Sequence, residues 1–146
     1  MYHYKGTGLD NVYLTNGYKE VKFGDEVAVS VSHVKELHKA IAKQVFSQSS
    51  RLSGKEIRFL RNEIGMSQTA FAELINVKVQ TFANWEKGTH KVQGAADRLM
   101  RLYVKDHFTN RASRVGELLK EYAELTNHLE ERMYFQETEG GWAEAA

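Results

Sequence analysis

The stretch from residue 67 to residue 88 restricts the fold most, because residues that begin or end helices divide it into two short segments. Ser67 is a preferred N-cap residue, since its hydroxyl oxygen can accept from a free backbone N–H. Asn76 tolerates a left-handed backbone and therefore suits a corner between two helices. Gly88 favours the left-handed conformation that closes a helix. The pattern predicts one helix after Ser67, a tight turn at Asn76 and a second helix over about residues 78–87.

Apolar residues repeat at helical spacing in both segments. They are Phe71, Leu74 and Ile75 in the first and Val79, Phe82 and Trp85 in the second. Ala72 lies where the two helices would cross most closely, so a larger side chain there would push them apart. The residues expected to fill the wedge between the helices are Phe71, Ile75, Val77, Phe82 and Trp85.

The remaining face of the second helix carries side chains rich in hydrogen-bond donors, with Glu86 as its acid. In the major groove of DNA, amide side chains read adenine edges, and hydroxyls bond phosphates or bases. Such a face therefore suits a helix that enters the major groove. The outward residues are Lys78, Gln80, Thr81, Asn84 and Lys87.

The segment resembles the helix-turn-helix of the phage Cro and repressor (Xre) family. The matching residues are Ser67, Gln68, Ala72, Asn76 (usually Gly in the family), Phe82, Trp85, Glu86, Lys87 and Gly88. The resemblance implies that Gln68 holds a phosphate and that Gln80 and Asn84 read bases. It also implies an ion pair between Arg61 and Glu86, for which the alternative is two independently solvated charges. The other DNA contacts expected on these helices, to the backbone or in a secondary role, are Thr69, Lys78, Thr81 and Lys87.

The alternative interpretation is any two amphipathic helices joined by a short turn, which are common in all-α proteins. The small, corner and hydrophobic positions all match at once, so we favour the Xre-type interpretation. The periodicity alone would not distinguish the two.

Composition limits the other possibilities. The chain has 146 residues, enough for one or two small domains. It contains no Cys, which excludes disulfides, thiol nucleophiles and thiolate metal ligands. It has neither an apolar run long enough to span a bilayer nor the pattern of a signal peptide. We therefore expect a cytoplasmic protein with no membrane partner.

Charge is unevenly distributed along the chain. Residues 51–112 carry a net charge of +5, and residues 113–146 carry −5. The positive charge thus coincides with the segment expected to meet DNA phosphates. The acidic end either mimics nucleic acid or, as we favour, is a solvated surface.

The first third of the chain alternates between apolar and polar residues and predicts a small antiparallel sheet. Asn16-Gly17 is a strong signal for a two-residue hairpin, and Gly24-Asp25 predicts a second turn. The runs VYLT, YKEVKF and EVAVSV would then form a β-meander. Ser32 is a candidate cap for a helix over about residues 33–46, whose apolar face (Val34, Leu37, Ile41 and Val45) would cover the sheet.

The serine-rich run SQSSRLSG, residues 47–54, is the predicted linker. Ser53 and Glu56 match a capping box for a helix that ends near Glu63. A loop over residues 89–93 places His90 and Lys91 where they would touch a phosphate. The next helix is predicted over residues 95–108, with a core face of Leu99, Met100, Leu102 and Tyr103.

A long helix is predicted over about residues 113–133, with an apolar stripe that is either intramolecular core or a dimer seam. The stripe comprises Val115, Leu118, Tyr122, Leu125 and Leu129. The fold class is therefore α+β. Residues 1–48 form a small β-meander plus helix, residues 52–134 form an all-α, five-helix Xre-type domain, and residues 135–146 form a flexible tail.

The whole chain also resembles the MqsA/YgiT-type antitoxin regulators. The residues that carry this resemblance are 2–4, 8–14, 16–17, 36–38, 41–42 and 56–61. In that family, an N-terminal domain precedes a dimerising, DNA-binding domain, and some members neutralise a toxin. Their N-terminal domains usually hold zinc through two Cys pairs. This chain has no Cys, and Phe23 to Glu26 stand where a Cys-containing turn is expected, so we predict no metal and no cofactor.

The sequence contains no glycine-rich phosphate loop and no metal-spaced His pair, so we do not expect an enzyme. The leading hypothesis is a dimeric repressor that binds double-stranded operator DNA. The alternative is an antitoxin whose main role is to bind a small ribonuclease toxin, with DNA binding secondary.

Overall fold

The core of the molecule is formed by helices, and the strands lie around it in pairs. A computed structural model describes residues 1–109, 114–124 and 132–145. The strands are β1 (Tyr2–His3), β2 (Tyr13–Leu14), β3 (Tyr18–Phe23), β4 (Glu26–Val31), β5 (Phe135–Thr138) and β6 (Gly141–Glu144). The helices are α1 (Val34–Ser47), α2 (Gly54–Glu63), α3 (Gln68–Leu74), α4 (Val79–Lys87), α5 (Gly94–Phe108) and α6 (Arg114–Glu124). The α+β class is confirmed, while the five-helix Xre-type arrangement stays a prediction.

The five helices from α1 to α5 share one hydrophobic core. Its most deeply buried large side chains are Ile57, Leu60, Phe71, Phe82, Met100 and Val104. Burying a side chain of this size stabilises a fold by about 1.5–3 kcal/mol relative to leaving it in water. From α1, Ala42, Val45 and Phe46 enter the same core, whereas Val34 of the predicted face is exposed. On α5, Leu102 was expected in the core and is 47% exposed, whereas Val104, which was not part of the predicted core face, is buried.

The segment predicted as a linker is tied to α5. Leu52 is buried, and its backbone N–H donates to the Asp97 carboxylate at 2.8 Å. Arg101 pairs with Asp97 and donates to the carbonyls of Gln48 and Ser50. The boundary between residues 48 and 52 stays a prediction, but residues on both sides of it contribute to one core.

The predicted β-meander is wrong. Strand β2 pairs with β1, in the register Tyr2↔Leu14, and β3 pairs with β4 in a separate sheet. Asn16-Gly17 therefore does not join paired strands, while the turn at Gly24-Asp25 does. The β1–β2 pairing allows Leu14 to be buried. That contact is long-range, so turn residues alone do not reveal it.

The β3–β4 hairpin lies in solvent rather than under α1. Phe23 is 67% exposed and Val27 is 56% exposed. The predicted Ser32 cap is also wrong, because His33 is the N-cap residue of α1, in a left-handed conformation and without a side-chain cap hydrogen bond. The capping box of Ser53 and Glu56 at α2 is confirmed.

The C-terminal region differs from its prediction. Residues 132–134 are not helical, so a helix to Met133 is wrong, and Leu125 and Leu129 lie outside the described residues. In place of the flexible tail, β5 and β6 form a hairpin in the register Phe135↔Glu144. Within the described part of the chain, the helices are too short or too polar to cross a bilayer.

Candidate nucleic-acid interface

Helices α3 and α4 meet at the predicted corner. Asn76 has a φ of 57°, and the N–H of Val77 donates to the carbonyl of Ala72 at 2.9 Å. Behind the corner, the rings of Phe71 and Phe82 pack edge to face with centroids 5.5 Å apart. Ala72 is 1% exposed, as expected of the crossing residue. The corner and the wedge therefore fix α4 against α3 and leave its other face open.

The ion pair implied by the Xre resemblance is present. Arg61 Nε donates to Glu86 Oε2 at 2.9 Å, and its Nη2 donates to Oε1 at 2.9 Å. The side chains of Arg61 and Glu86 are 13% and 4% exposed. The outer face of α4 therefore keeps its donors, because its acid is turned inward and neutralised. Gln68 Nε2 donates to the same carboxylate at 3.3 Å, which orients the predicted phosphate-binding amide.

The outward residues of α4 lie close to where the sequence predicted them. Lys78, Gln80 and Lys87 are exposed, and Thr81 and Asn84 are half-buried. Gln80 Nε2 donates to Asn84 Oδ1 at 3.1 Å, so the two predicted base-reading residues contact each other. The Gln80 carbonyl and the Asn84 amino group keep further hydrogen-bonding capacity for a base edge.

Val79 was expected on the buried side of α4 and is instead 45% exposed. It is the first residue of the helix and stands beyond the wedge. At the start of α3, Thr69 is exposed, one residue after the half-buried Gln68.

The loop after α4 is anchored to that helix. Gly88 ends α4 with a φ of 78°, as predicted. Thr89 then returns to the helix, because its N–H and its hydroxyl each donate to the Asn84 carbonyl at 3.1 Å. This anchor leaves His90 and Lys91 exposed beside the end of α4. Thr89 was not among the residues predicted for the site, although a Thr directly after a helix-closing Gly is a local signal for this bond.

Gly54 is a second residue of the site that was not predicted from the sequence. A Cβ at this position would clash with the backbone carbonyl oxygens of Trp85 and Glu86. The first turn of α2 therefore touches the backbone of α4 near its C-terminal end. No local pattern marks such a contact, because it joins segments about 30 residues apart.

A separate group of titratable residues connects the N-terminal segment to α2. His38 Nδ1 lies 2.7 Å from Glu63 Oε1, and His38 Nε2 lies 2.7 Å from the Tyr4 hydroxyl. A carboxylate only accepts, so the proton on Nδ1 points to Glu63, and in the neutral imidazole the Tyr4 hydroxyl donates to Nε2. Burial, with the negative charge of Glu63 and then Tyr2, raises the pKa of Tyr4. Nearby, a hydrogen bond from Lys55 at 2.6 Å lowers the pKa of the exposed Asp10.

Comparison with known proteins agrees with this geometry. Residues 57–95 match the Helix-turn-helix family model. The match runs from α2 to the start of α5 and supports the interpretation of this part of the chain as an Xre-type helix-turn-helix. It does not reach the N-terminal segment, so the MqsA/YgiT resemblance receives no support from it. No curated protein and no solved structure shows significant similarity to the chain.

The described residues contain no cluster of His, Asp and Glu suited to holding a metal ion.

Proposed function

We propose that the chain is a sequence-specific DNA-binding transcription regulator that inserts α4 into the major groove. The observation that carries the proposal is the outer face of α4. Its donors are exposed or half-buried, and its Glu86 carboxylate is buried in an ion pair with Arg61. The inner face of α4 is packed against α3, and its outer face carries hydrogen-bond donors. A helix with these two faces can read base edges.

The residues of this face have two roles. Gln80 and Asn84 read bases, because amide groups match the paired donor and acceptor of adenine. The phosphate contacts come from Gln68, Thr69, Lys78, Thr81, Lys87, His90 and Lys91, which position α4 without reading sequence. The net charge of +5 over residues 51–112 supports attraction of this segment to DNA phosphates.

We further propose that the protein acts in the cytoplasm as a dimeric repressor and not as an enzyme. Two recognition helices in a symmetric dimer would read two half-sites of one operator. The exposed apolar side chains of α6, Leu118 and Tyr122, offer a seam for such a dimer.

The test is fluorescence-anisotropy titration with the DNA upstream of the protein's own gene, against scrambled competitor, at two salt concentrations. Gln80→Ala and Asn84→Ala should each cost about 1–3 kcal/mol at particular base pairs. Lys78→Ala and Lys87→Ala should instead weaken binding to all sequences alike and reduce the salt dependence. Lys105→Ala removes an exposed cation from α5 and serves as the control.

The contact between Gln80 and Asn84 adds a quantitative requirement. Because each amide orients the other, the double variant should lose less than the sum of the single variants, by about 0.5 kcal/mol or more. If the single variants of Gln80, Asn84, Lys78 and Lys87 all behave identically on every DNA, the assignment of base readers is wrong. Equal weak binding to specific and scrambled DNA would remove the regulator proposal itself.

The alternative function is an antitoxin that binds a small ribonuclease toxin. The observation in its favour is the β3–β4 hairpin, on which Phe23 and Val27 are exposed. Phe23→Ser should then abolish binding to a toxin encoded beside this gene and leave DNA binding unchanged. Lys22→Ser, on the same strand, is the matched control. If Phe23→Ser leaves the affinity for that toxin unchanged, the hairpin is not its docking surface.

A further inference from the structure

A basic surface continues beyond the C-terminal end of α4. Two depressions lie there, and Arg51 lines both of them. The first is also lined by His90 and Lys91, and the second by Gly94 and Arg98. Arg51 therefore connects the loop that holds two of the proposed phosphate contacts to the first two turns of α5.

The acid in this surface is buried and does not offset the exposed cations. None of the described residues that line the first depression is Asp or Glu. The second is lined by Asp97, which is 6% exposed. The Asp97 carboxylate accepts from the N–H of Leu52 at 2.8 Å and pairs with Arg101 at 3.0 Å. Its charge is therefore compensated inside the fold, and the charge that both depressions present to solvent is positive.

Arg51 and Arg98 keep hydrogen-bond donors for a ligand. Arg51 uses one N–H on the Val92 carbonyl at 3.2 Å and has others to spare. Arg98 is exposed and, within the part of the chain that the structure describes, has no hydrogen-bond or ion-pair partner. Arg101, by contrast, donates to Asp97 and to two backbone carbonyls, so it stabilises the fold instead of binding a ligand.

We propose that Arg51 and Arg98 together bind one DNA backbone phosphate that lies beyond the base pairs read by α4. A planar guanidinium matches the oxygens of a phosphate, with which it forms two parallel hydrogen bonds. The other described residues of the second depression are either small or belong to the ion pair of Asp97 with Arg101, so charge dominates the site.

The contact would lengthen the DNA footprint without reading sequence, because phosphates are the same in every base pair. It rests on the proposed function for its DNA, whereas the affinity of the site for phosphate does not.

Inorganic phosphate tests the site without DNA. A Cβ at Gly94 would meet Arg51 Nη2 at 3.4 Å, so the backbone N–H of Gly94 is close enough to report on the guanidinium. In two-dimensional NMR of the isotope-labelled full chain, phosphate should shift the Gly94 signal with saturation, and chloride at equal ionic strength should shift it less. The double variant Arg51→Gln with Arg98→Gln should weaken this binding, and thermal unfolding checks that the variant retains its fold.

Salt-dependent anisotropy and hydroxyl-radical footprinting test the contact with DNA. Each single variant should weaken binding about twofold to fivefold, by the same factor on specific and on scrambled DNA, as expected for one partly exposed ion pair. The double variant should lower the slope of log affinity against log salt by about 0.9, the value for one phosphate. It should also leave unprotected the outermost nucleotides that the wild-type protein protects.

Lys105→Gln is the matched control. It removes a cation from the same helix, about two turns after Arg98, at a position that lines neither depression. It should change neither the Gly94 titration nor the edge of the footprint. If Lys105→Gln weakens DNA binding as much as Arg98→Gln does, the effect is one of net charge and the contact is wrong.

The two measurements fail separately. No saturable shift of the Gly94 signal in the wild-type protein, or the same shift in the double variant, would overturn the site. If phosphate binds but the footprints of the two proteins coincide, the DNA contact is wrong. If the wild-type protein binds no DNA, the proposed function fails, while the phosphate titration still decides whether Arg51 and Arg98 bind an anion.

Discussion

Glu86 and Arg61 show how a single buried pair affects both stability and the proposed DNA surface. The Glu86 side chain is only 4% exposed. Its negative charge is compensated by the guanidinium of Arg61 and by a hydrogen bond from the amide of Gln68. Removing one partner of a buried pair leaves an uncompensated charge, which typically costs about 3–5 kcal/mol. We expect Arg61→Met to lower the free energy of unfolding by this amount in urea denaturation.

The double variant Arg61→Met with Glu86→Leu is the control for that measurement. It removes both charges and should recover most of the stability, because apolar residues of similar volume often replace a buried pair without loss. A loss below about 1 kcal/mol in the single variant would show that the folded protein tolerates the Glu86 carboxylate without Arg61 as its partner.

Tyr4 provides a second prediction for a single residue. Tyr4→Phe removes the hydroxyl that donates to His38 and should lower the free energy of unfolding by about 1 kcal/mol near neutral pH. Since the fold raises the pKa of Tyr4, the folded state keeps the proton at a pH where the unfolded chain loses it. The stability contributed by Tyr4 is therefore complete below its ordinary pKa of about 10 and declines as pH rises above it.

Urea denaturation of both proteins between pH 7 and pH 11 measures this effect. The difference between the wild-type protein and Tyr4→Phe should narrow at the alkaline end. A constant difference would contradict the assigned role of the hydroxyl.

At the scale of elements, the contact between α2 and α4 depends on Gly54. In Gly54→Ala the new methyl group meets the carbonyls of Trp85 and Glu86, so the helices must separate. We expect a loss of about 1–3 kcal/mol of unfolding free energy, as for other overpacked sites. Gly94→Ala is a matched control, since Gly94 also opens a helix and its Cβ would meet only the flexible end of Arg51 at 3.4 Å. Equal stability of the two variants would contradict this account.

The helices were easier to predict than the strands for a physical reason. The residues that cap helices form hydrogen bonds with backbone groups a few positions away. The start of α2 at Ser53, the start of α3 at Ser67 and the end of α4 at Gly88 can therefore be predicted from local sequence. The pairing of β1 with β2 joins Tyr2 to Leu14, which are not neighbours in the sequence. The Asn16-Gly17 turn signal was therefore misleading.

The candidate site was predictable to the same extent. The outward residues of α4 follow from helical periodicity, and the Arg61–Glu86 pair followed from the family resemblance. The hydrogen bond between Gln80 and Asn84, the anchor at Thr89 and the approach of Gly54 depend on side-chain conformations and packing in the folded chain. None of these has a signature in spacing alone.

At the scale of the whole molecule, the proposed dimer makes α6 the element to test. Tyr122 is 68% exposed, and Leu118 lies one turn before it on the same face. We expect Tyr122→Ser to shift the protein from dimer to monomer in analytical ultracentrifugation. Glu121→Ser, at an exposed neighbouring position, should leave the dimer intact. A wild-type protein that sediments as a monomer at micromolar concentrations would remove the dimer from the proposal.

The shared core of α1 and α5 has a consequence for how the chain acquires its structure during synthesis. Ala42, Val45 and Phe46 are made well before Met100 and Val104, with which they share that core. The backbone N–H of Leu52 likewise has no hydrogen bond to Asp97 until that residue has been synthesised. The first fifty residues therefore leave the ribosome without the surface that will bury their apolar side chains. A chain interrupted before residue 104 should be a substrate for chaperones and proteases rather than a folded fragment.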